Sequence, residues 1–366
     1  MGPRSRKNHV SHFNVMVVGF SGVGKTSFVR TLLETLSLDQ ANAAANTNKK
    51  RRDSFMSENS SVVVQEQLQG PIERTTQPYT ISREIEIEKK ERIILTIIDT
   101  PGFGAEYLVD KQLYDITKYI EHQFDLTLQE ESKVKRNPKA VDTQVHCCLY
   151  FIDPRKPALD EFDIRILKRL SNRANVIPII GKADNLTLAQ RNRLKPSIIK
   201  DIYTTHKIPI YGMPDEEQDE EEEMDDEGKS DNDKKGEKPT TLDQFLLQFD
   251  YENEDADTQS ILSYLHTVPF TVIAYEDDPE TGSPIDISPD IKLGRDFGWG
   301  FIDCLGEKYS DFVKLKYMLL SSHRRYLQLD TVERYYEQYR TERLMHKRVT
   351  KIAMAAPPAT AFSSST

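Results

Sequence analysis

The sequence is poor in cysteine and tryptophan and has no long apolar run. Only three of its 366 residues are cysteine and one is tryptophan. Cys147 and Cys148 are adjacent and Cys304 is distant, a spacing typical of neither a zinc site nor a disulfide framework. The sequence also lacks a run of about 18 apolar residues that could cross a bilayer. Its polar start has no apolar core of a secretory signal. These absences predict a soluble protein of the cytoplasm.

Acidic residues are concentrated in one segment, so the net charge of −10 is local. Residues 215–238 contain fourteen Asp or Glu against four Lys, which accounts for the whole formal charge. A segment of this composition cannot bury apolar area, and we predict an acidic disordered insertion over about 214–258. A second polar insertion is predicted over about 38–68, with the basic cluster 49–52 inside it.

Strand-like runs alternate with helical patterns along the rest of the chain. Five segments are predicted to be strands: 14–19, 81–88, 92–99, 145–153 and 175–181. The last three are short, apolar and followed by polar residues, which is typical of parallel strands covered on both faces. Apolar residues at helical spacing predict helices over 26–36, 161–171 and 188–203. This alternation predicts an α/β doubly wound sheet, whose ligands bind at the carboxyl ends of the strands.

The stretch 17–30, VVGFSGVGKTSFVR, contains the full phosphate-binding pattern G-x-x-x-x-G-K-[ST] between a predicted strand and a predicted helix. In such a loop, successive backbone N–H groups point at a phosphate at the positive end of the helix. Lys25 adds a point charge on the β- and γ-phosphates, and the Thr26 hydroxyl is suited to ligate Mg²⁺. The predicted nucleotide-binding residues of this loop are Gly19, Ser21, Gly22, Val23, Gly24, Lys25, Thr26 and Ser27.

Two further strand ends complete a nucleotide site. Asp99 is predicted to hold Mg²⁺ through water, and the N–H of Gly102 can meet a γ-phosphate. In IIGKADN, 179–185, Asp184 can accept two hydrogen bonds from the edge of guanine while the stem of Lys182 packs on the ring. Adenine has no matching donors, and a buried unpaired Asp would reject it. The predicted ligand is therefore GTP or GDP with Mg²⁺.

The segments GFSGVGKT, DTPGFG, VHCCLYFIDP and GKAD resemble motifs of the septin family of filament-forming GTP-binding proteins. The segment at about 294–348 is similar to the septin unique element. The resemblance implies a Ras-like P-loop GTPase fold with a septin-type C-terminal extension. It places the domain at 13–348, between flexible tails at 1–12 and 349–366. In the third base-binding motif, this chain has Gly181 where the family usually has alanine.

The resemblance also implies a function. Septins are subunits of hetero-oligomeric filaments or rings that act as membrane-associated scaffolds in cytokinesis, at the septin ring, the cell cortex and the division site. Other septins are the expected partners, through a nucleotide face and a terminal-helix face. An anionic membrane could contact the 49–52 cluster, although a solvated loop is the alternative, and no nucleic acid is expected.

The resemblance assigns particular roles as well. Arg295 matches the base-contacting arginine, Trp299 the interface tryptophan, and Ala274 a position of the nucleotide pocket where many septins have glycine. A core position for Trp299 stays open. On the terminal-helix side lie Met318, Leu319 and the helix at 331–345, whose aromatic residues at 335, 336 and 339 could be core or interface.

Hydrolysis requires a water molecule oriented at the γ-phosphate. Phe103 follows the DTPG glycine where Ras-type enzymes have a catalytic glutamine, and a phenyl ring cannot orient water. Hydrolysing septins use a threonine of the first switch instead, and IERTTQ, 72–77, matches that segment. We assign this catalytic role to Thr75, with Thr76 as the alternative, and expect a slow GTPase at most. The alternative function is a soluble small-GTPase-like switch that does not polymerise.

Overall fold

The computed structural model describes residues 10–46, 75–87, 91–135, 141–213, 242–251, 253–285 and 293–355. In these stretches the strands are β1 (Ser11–Gly19), β2 (Tyr79–Ile87), β3 (Glu91–Asp99), β4 (Cys147–Ile152), β5 (Val176–Ile180), β6 (Phe270–Thr271), β7 (Gly294–Asp296) and β8 (Phe301–Asp303). The helices are α1 (Lys25–Asn46), α2 (Glu106–Glu131), α3 (Glu161–Ser171), α4 (Leu188–Lys200), α5 (Leu242–Leu246), α6 (Ala256–Thr267), α7 (Phe312–Tyr317), α8 (Arg324–Asp330) and α9 (Glu337–Ala355). Wider helical turns at Met318–Ser322 and Thr331–Tyr336 join α7, α8 and α9.

The central sheet has the strand order β2-β3-β1-β4-β5-β6. Strand β2 is antiparallel to β3, whereas β3, β1, β4, β5 and β6 run parallel. Strands β4 and β5 are buried along their whole length, as expected for parallel strands covered on both faces. This confirms the predicted α/β sheet. The carboxyl ends of the parallel strands meet at one edge, where the candidate site lies.

The C-terminal segment belongs to the core of the domain. The three aromatic residues that the sequence left between core and interface are buried in the main cluster: Tyr335, Tyr336 and Tyr339. Met318 and Leu319, which the resemblance placed on the terminal-helix side, are also buried there. Buried Asp311 accepts hydrogen bonds from Arg191, Lys195 and the backbone of Thr271, which ties α7 to α4 and β6. The segment is therefore part of the same fold as the sheet.

Several predicted boundaries differ from the structure. Helix α1 continues to Asn46, so the polar insertion does not begin at 38. Helix α5 and the start of α6 fall inside the predicted acidic insertion of 214–258, and Leu242 and Leu246 are buried. Strand β1 begins at Ser11, inside the predicted N-terminal tail, and α9 extends past 348 into the predicted C-terminal tail. The basic cluster 49–52 and the acidic segment 215–238 lie outside the described residues.

A bilayer span requires a helix that is both long and strongly apolar. In the described stretches no helix meets both conditions.

Candidate functional site

The phosphate loop, residues 19–26, links β1 to α1 at the carboxyl edge of the sheet. Gly22 and Gly24 have φ values of 82° and 96°, a left-handed backbone that favours glycine. Lys25 is buried under the loop, and its Nζ donates hydrogen bonds to the carbonyls of Gly19 (3.0 Å) and Phe20 (2.9 Å). Val23 is buried, Ser27 is half-buried in the first turn of α1, and Ser21 and Gly22 are exposed. The two left-handed glycines and the buried lysine fit a phosphate-binding loop.

The buried position of Lys25 changes its acidity. Burial lowers the pKa of the Lys25 ammonium from 10.5 to about 8, and the nearby Asp99 carboxylate opposes this shift. Burial removes the water that would stabilise the ammonium charge, and a phosphate bound beside Nζ would stabilise that charge instead. Phosphate binding and protonation of Lys25 are therefore coupled.

Three side-chain oxygens meet at the end of β3. The Thr26 hydroxyl donates to Oδ2 of Asp99 at 2.7 Å, and the Thr75 hydroxyl donates to the same oxygen at 3.3 Å. The Thr26 and Thr75 hydroxyl oxygens are 3.3 Å apart. Thr76, the alternative to Thr75, is exposed to solvent. The structure thus brings Thr75 to the end of β3.

Tyr79 is a member of this cluster that the sequence did not indicate. It lies directly opposite Asp99 in the β2–β3 register. Burial raises the pKa of its hydroxyl, and the charge of Asp99 and a hydrogen bond to that carboxylate raise it further. The pairing of β2 with β3 brings the two residues together, and strand register cannot be derived from the Tyr79 segment alone.

One oxygen of Asp99 remains available. Burial raises the pKa of the Asp99 carboxyl, while the hydrogen bonds from Thr26 and Tyr79 oppose the shift. Its Oδ1 is buried and has no hydrogen-bond partner. A buried carboxylate oxygen without a partner is costly unless a cation or water contacts it. The cluster therefore fits a hydrated Mg²⁺ ion, with Thr26 and Asp99 as the residues that would hold it.

Gly102 and Phe103 lie against the phosphate loop. The backbone N–H of Ser21 donates to the Phe103 carbonyl (3.0 Å), and the N–H of Phe103 donates to the Gly19 carbonyl (3.1 Å). A Cβ atom on Gly102 would lie 2.5 Å from Cα of Ser21, so only glycine allows this approach. The Phe103 side chain is buried and packs on Phe20, with ring centroids 5.6 Å apart.

The end of β5 forms the base side of the site. Lys182 has a left-handed backbone, and a Cβ atom on Gly24 would lie 3.5 Å from its Cγ, so its stem crosses the phosphate loop. A Cβ atom on Gly181 would lie 2.2 Å from the carbonyl oxygen of Val23. Glycine in place of the family's usual alanine therefore lets β5 approach the phosphate loop closely.

Asp184 and Arg295 form an ion pair beside this lysine. The Arg295 Nη1 is 3.4 Å from Oδ2 of Asp184. The Asp184 side chain is largely buried, and its Oδ1 has no hydrogen-bond partner. The backbone N–H of Ala183, next to Asp184, donates a hydrogen bond to the carbonyl of Val272. Ala274 follows Val272 by two residues, so its segment lies near this side of the site. The unpaired Oδ1 fits a donor such as the N–H edge of guanine.

The hairpin β7–β8 leads from this pocket to the surface. The Arg295 guanidinium lies 5.9 Å from the centre of the Phe297 ring. Phe297 in turn stacks on Trp299, with centroids 5.6 Å apart and planes at 28°. Trp299 is 81% exposed and Phe301 is also exposed. Trp299 is therefore a surface residue, and the alternative of a core position is wrong.

Comparison with known proteins identifies the class of protein that this fold and site define. The family model described as Septin matches residues 9–235 and 238–352. "Septation protein 7" of Candida albicans is 34% identical over 91% of this chain and 48% of its own length. "Cell division control protein 11" of Saccharomyces cerevisiae is 33% identical over 92% of this chain and 67% of its own length. The chain thus spans about half of the first relative and two thirds of the second.

A solved structure supports the fold. The septin GTPase domain from Chlamydomonas reinhardtii covers 90% of this chain and 98% of its own, with a TM-score of 0.53 and 22% identity. The chain belongs to the septin family, and the resemblance predicted from its motifs is confirmed. Membership makes it a septin subunit and implies binding of a guanine nucleotide. Two of its relatives are named for septation and for cell division.

Proposed function

We propose that this septin binds GDP or GTP with Mg²⁺ and assembles with other septins across the bound nucleotide. The observation that carries the proposal is the continuous contact from Asp184, whose Oδ1 has no hydrogen-bond partner, through its ion-pair partner Arg295 and then Phe297 to exposed Trp299. A base held by Asp184 and Arg295 would support the hairpin that presents Trp299. Nucleotide and partner would then bind to one continuous surface.

Guanine specificity follows from the donors and acceptors of the pocket. Oδ1 of Asp184 is buried and unpaired, so it favours a ligand that donates hydrogen bonds. The aliphatic stem of Lys182 supplies an apolar surface for the base. The ion pair with Arg295 holds the Asp184 carboxylate in place. Chromatography of the nucleotide released from denatured protein tests this step: guanine nucleotide supports the proposal, whereas adenine nucleotide or none contradicts it.

Mg²⁺ would be held at the end of β3. The Thr26 hydroxyl would be a direct ligand, and Asp99 would hold the ion through water. The ion would neutralise charge on the phosphates beside Lys25. Retention of nucleotide with and without EDTA tests this assignment, because loss of the ion should speed release.

We expect hydrolysis to be slow. The position that carries glutamine in Ras-type enzymes holds Phe103, and its ring is buried against Phe20, where it cannot orient water. The Thr75 hydroxyl, near Thr26 and Asp99, is the group nearest to a suitable position. The role proposed for Thr75 is to position water, and guanine nucleotide is mainly a structural ligand.

Assembly through two faces would place the chain in septin filaments or rings at the division site. Trp299 and Phe301 form the apolar part of the nucleotide face. Leu329 and Val332, exposed three residues apart near the end of α8, are the apolar residues we assign to the terminal-helix face. Burial of Met318, Leu319 and the three tyrosines removes those side chains from that face.

The scaffold function is favoured over a soluble switch that does not polymerise. Exposed Trp299 and Phe301, with Phe297 stacked on the tryptophan, form an apolar patch of the kind that marks a contact with another protein. Sedimentation of the nucleotide-loaded chain with other septins from the same cell decides between the two. Pairing that depends on Trp299 supports the scaffold, and a monomer with every septin supports the switch.

A further inference from the structure

Strand β2 begins at Tyr79, which lies directly opposite Asp99, the last residue of β3. In an antiparallel pair, opposite residues place their side chains on the same face of the sheet, close enough to touch. The Tyr79 side chain is half-buried and packs against the main core cluster, while its hydroxyl hydrogen-bonds the Asp99 carboxylate. The strand register thus brings a tyrosine hydroxyl to the end of β3.

The hydrogen bonds of Asp99 are unevenly distributed between its two oxygens. Oδ2 accepts from the hydroxyls of Thr26 at 2.7 Å and Thr75 at 3.3 Å. Oδ1 is buried and has no hydrogen-bond partner, so the Tyr79 hydroxyl belongs to the Oδ2 side as well. Three hydroxyls therefore hold one oxygen of the carboxylate. The other oxygen is left for a water molecule of the kind that Mg²⁺ retains when it binds to proteins.

Tyr79 differs from the two threonines in having no other role in the proposed site. Thr26 is the proposed direct ligand of the ion, and Thr75 is the proposed group that positions the attacking water. Tyr79 lies in a strand that is paired with β3 along its whole length, and donors on regular elements are held more precisely than donors on loops. A tyrosine hydroxyl is protonated at neutral pH and can donate to a carboxylate. Tyr79 is therefore suited to orient Asp99.

Two other roles for Tyr79 fit the structure less well. A tyrosine that competes with the ion would bond to the oxygen that the ion's water needs, but Oδ1 has no partner. A residue that only fills space would need no hydroxyl, whereas the hydroxyl of Tyr79 is bonded to the carboxylate. Loss of a residue that orients a metal ligand typically lowers metal affinity by about 10–100-fold.

We propose that Tyr79 is a positioning residue of the Mg²⁺ site, and that its hydroxyl orients Asp99 so that Oδ1 stays available to a water ligand of the ion. The inference rests on the proposed binding of Mg²⁺ at Thr26 and Asp99, and it adds a residue that acts through Asp99. Loss of the hydroxyl weakens Mg²⁺ binding and, through the ion, the retention of GDP. Release of GDP without the ion does not depend on this hydroxyl.

Release of a fluorescent GDP derivative from the full chain tests the proposal. The release rate is measured in EDTA and over a series of free Mg²⁺ concentrations. The Mg²⁺ concentration that slows release half-maximally should rise roughly tenfold or more in Tyr79→Phe. The release rate in EDTA should equal that of the wild type, because the substitution acts only through the ion. A packing role alone would change the rate in EDTA and leave the half-maximal concentration unchanged.

Two further variants separate the hydroxyl from its surroundings. Ser82→Ala removes another hydroxyl of β2, which lies opposite Thr96 with the two hydroxyl oxygens 3.1 Å apart. This control should respond to Mg²⁺ as the wild type does. Tyr79→Leu removes the ring together with the hydroxyl. It should raise the half-maximal Mg²⁺ concentration at least as much as Tyr79→Phe and should also lower Tm, since the ring packs on the core.

Three results would overturn the proposal. The first is a half-maximal Mg²⁺ concentration for Tyr79→Phe equal to that of the wild type, or below it, as expected for a competitor of the ion. The second is a shift in Tyr79→Leu without one in Tyr79→Phe, which would assign the effect to the ring. The third is an equal shift in Ser82→Ala, which would assign it to the β2–β3 pairing in general.

Failure of the proposed function would give a different result. GDP release from the wild type would then be the same in EDTA and at every Mg²⁺ concentration, which contradicts the Mg²⁺ site and Tyr79's role in it. A wild type that responds to Mg²⁺, with Tyr79→Phe responding identically, contradicts the role of Tyr79 alone.

Discussion

The guanidinium of Arg295 lies 3.4 Å from the carboxylate of Asp184, although the two residues are far apart in the sequence. This ion pair joins the end of β5 to the hairpin β7–β8. It leaves the second oxygen of Asp184 buried and without a partner. The pair therefore connects the base pocket with the segment that carries exposed Trp299.

Replacement of Asp184 by asparagine should change the base that the protein prefers. The side-chain amide would lack the charge and one acceptor position of the carboxylate and would gain an N–H₂ donor, which suits the extra carbonyl of xanthine. We expect Asp184→Asn to lower affinity for GDP by a factor on the order of 10² or more and to raise affinity for XDP. Competition between the two nucleotides measures this. An unchanged guanine preference would remove Asp184 from the base site.

Gly181→Ala should weaken nucleotide binding through sterics alone. The added Cβ would lie 2.2 Å from the Val23 carbonyl oxygen, so the phosphate loop would have to move away from β5. Overpacking of this kind costs about 1–3 kcal/mol, and we expect roughly a tenfold or greater loss of GDP affinity.

Gly104→Ala is the matched control for this change. At Gly104 the nearest atoms to an added Cβ lie 3.9 Å away. The control should bind GDP as the wild type does. Equal affinity of Gly181→Ala and wild type would show that the phosphate loop tolerates the displacement.

Nucleotide affinity should fall as the pH rises above about 8. The pKa of Lys25 is lowered from 10.5 to about 8 in the folded chain, so the ammonium is lost in this range. Between pH values of about 8 and 10.5, Lys25 keeps its proton in the unfolded chain but loses it in the folded chain. The free energy of unfolding of the nucleotide-free protein therefore increases with pH in this range. A bound phosphate, in contrast, loses the cation beside it. From about pH 7 to about pH 9 we expect GDP affinity to fall up to roughly tenfold.

A titration of GDP binding at several pH values measures this effect, with Lys25→Arg for comparison. Arginine stays protonated throughout, so its profile should be flat over the same range even if its affinity is lower. Parallel profiles for the two proteins would show that another group causes the dependence.

Thr75→Ala should slow hydrolysis, and Thr76→Ala should not. The Thr75 hydroxyl is 3.3 Å from both the Thr26 hydroxyl and Asp99, whereas Thr76 is exposed. Loss of a water-positioning group typically lowers the rate by about 10² or more. Single-turnover GTP hydrolysis measures this. Equal rates for wild type and Thr75→Ala would pass the question to Thr76 or to no residue.

The sequence predicted the parts of the fold that depend on local pattern. The apolar strands β1, β4 and β5 and the helix α3 at 161–171 follow from periodicity. The end of α1 did not, because its Ala-rich segment at 37–46 continues by helix propensity after the apolar spacing stops at Leu36. Residues 349–352 of α9 are likewise helical, although all of them are exposed apart from half-buried Thr350.

The parts of the site that depend on long-range contacts could not be predicted from local sequence patterns. The phosphate loop and Asp184 lie in motifs with fixed spacing. Tyr79 reaches Asp99 only because of the β2–β3 register, and the buried tyrosines of the C-terminal segment look the same in sequence whether they face a core or a partner. The reason for glycine at position 181 is likewise a long-range contact, the close approach of β5 to the Val23 carbonyl oxygen.

The central claim, assembly across the nucleotide, is tested most directly by analytical ultracentrifugation of the GDP-loaded chain with other septins from the same cell. Trp299→Ala should weaken pairing roughly thirtyfold or more, since loss of such an anchor costs about 2 kcal/mol or more. GDP content should stay unchanged. The control Tyr317→Ala, at an exposed aromatic residue of α7, should pair as the wild type does. A nucleotide-loaded wild type that stays monomeric with every septin would contradict the account.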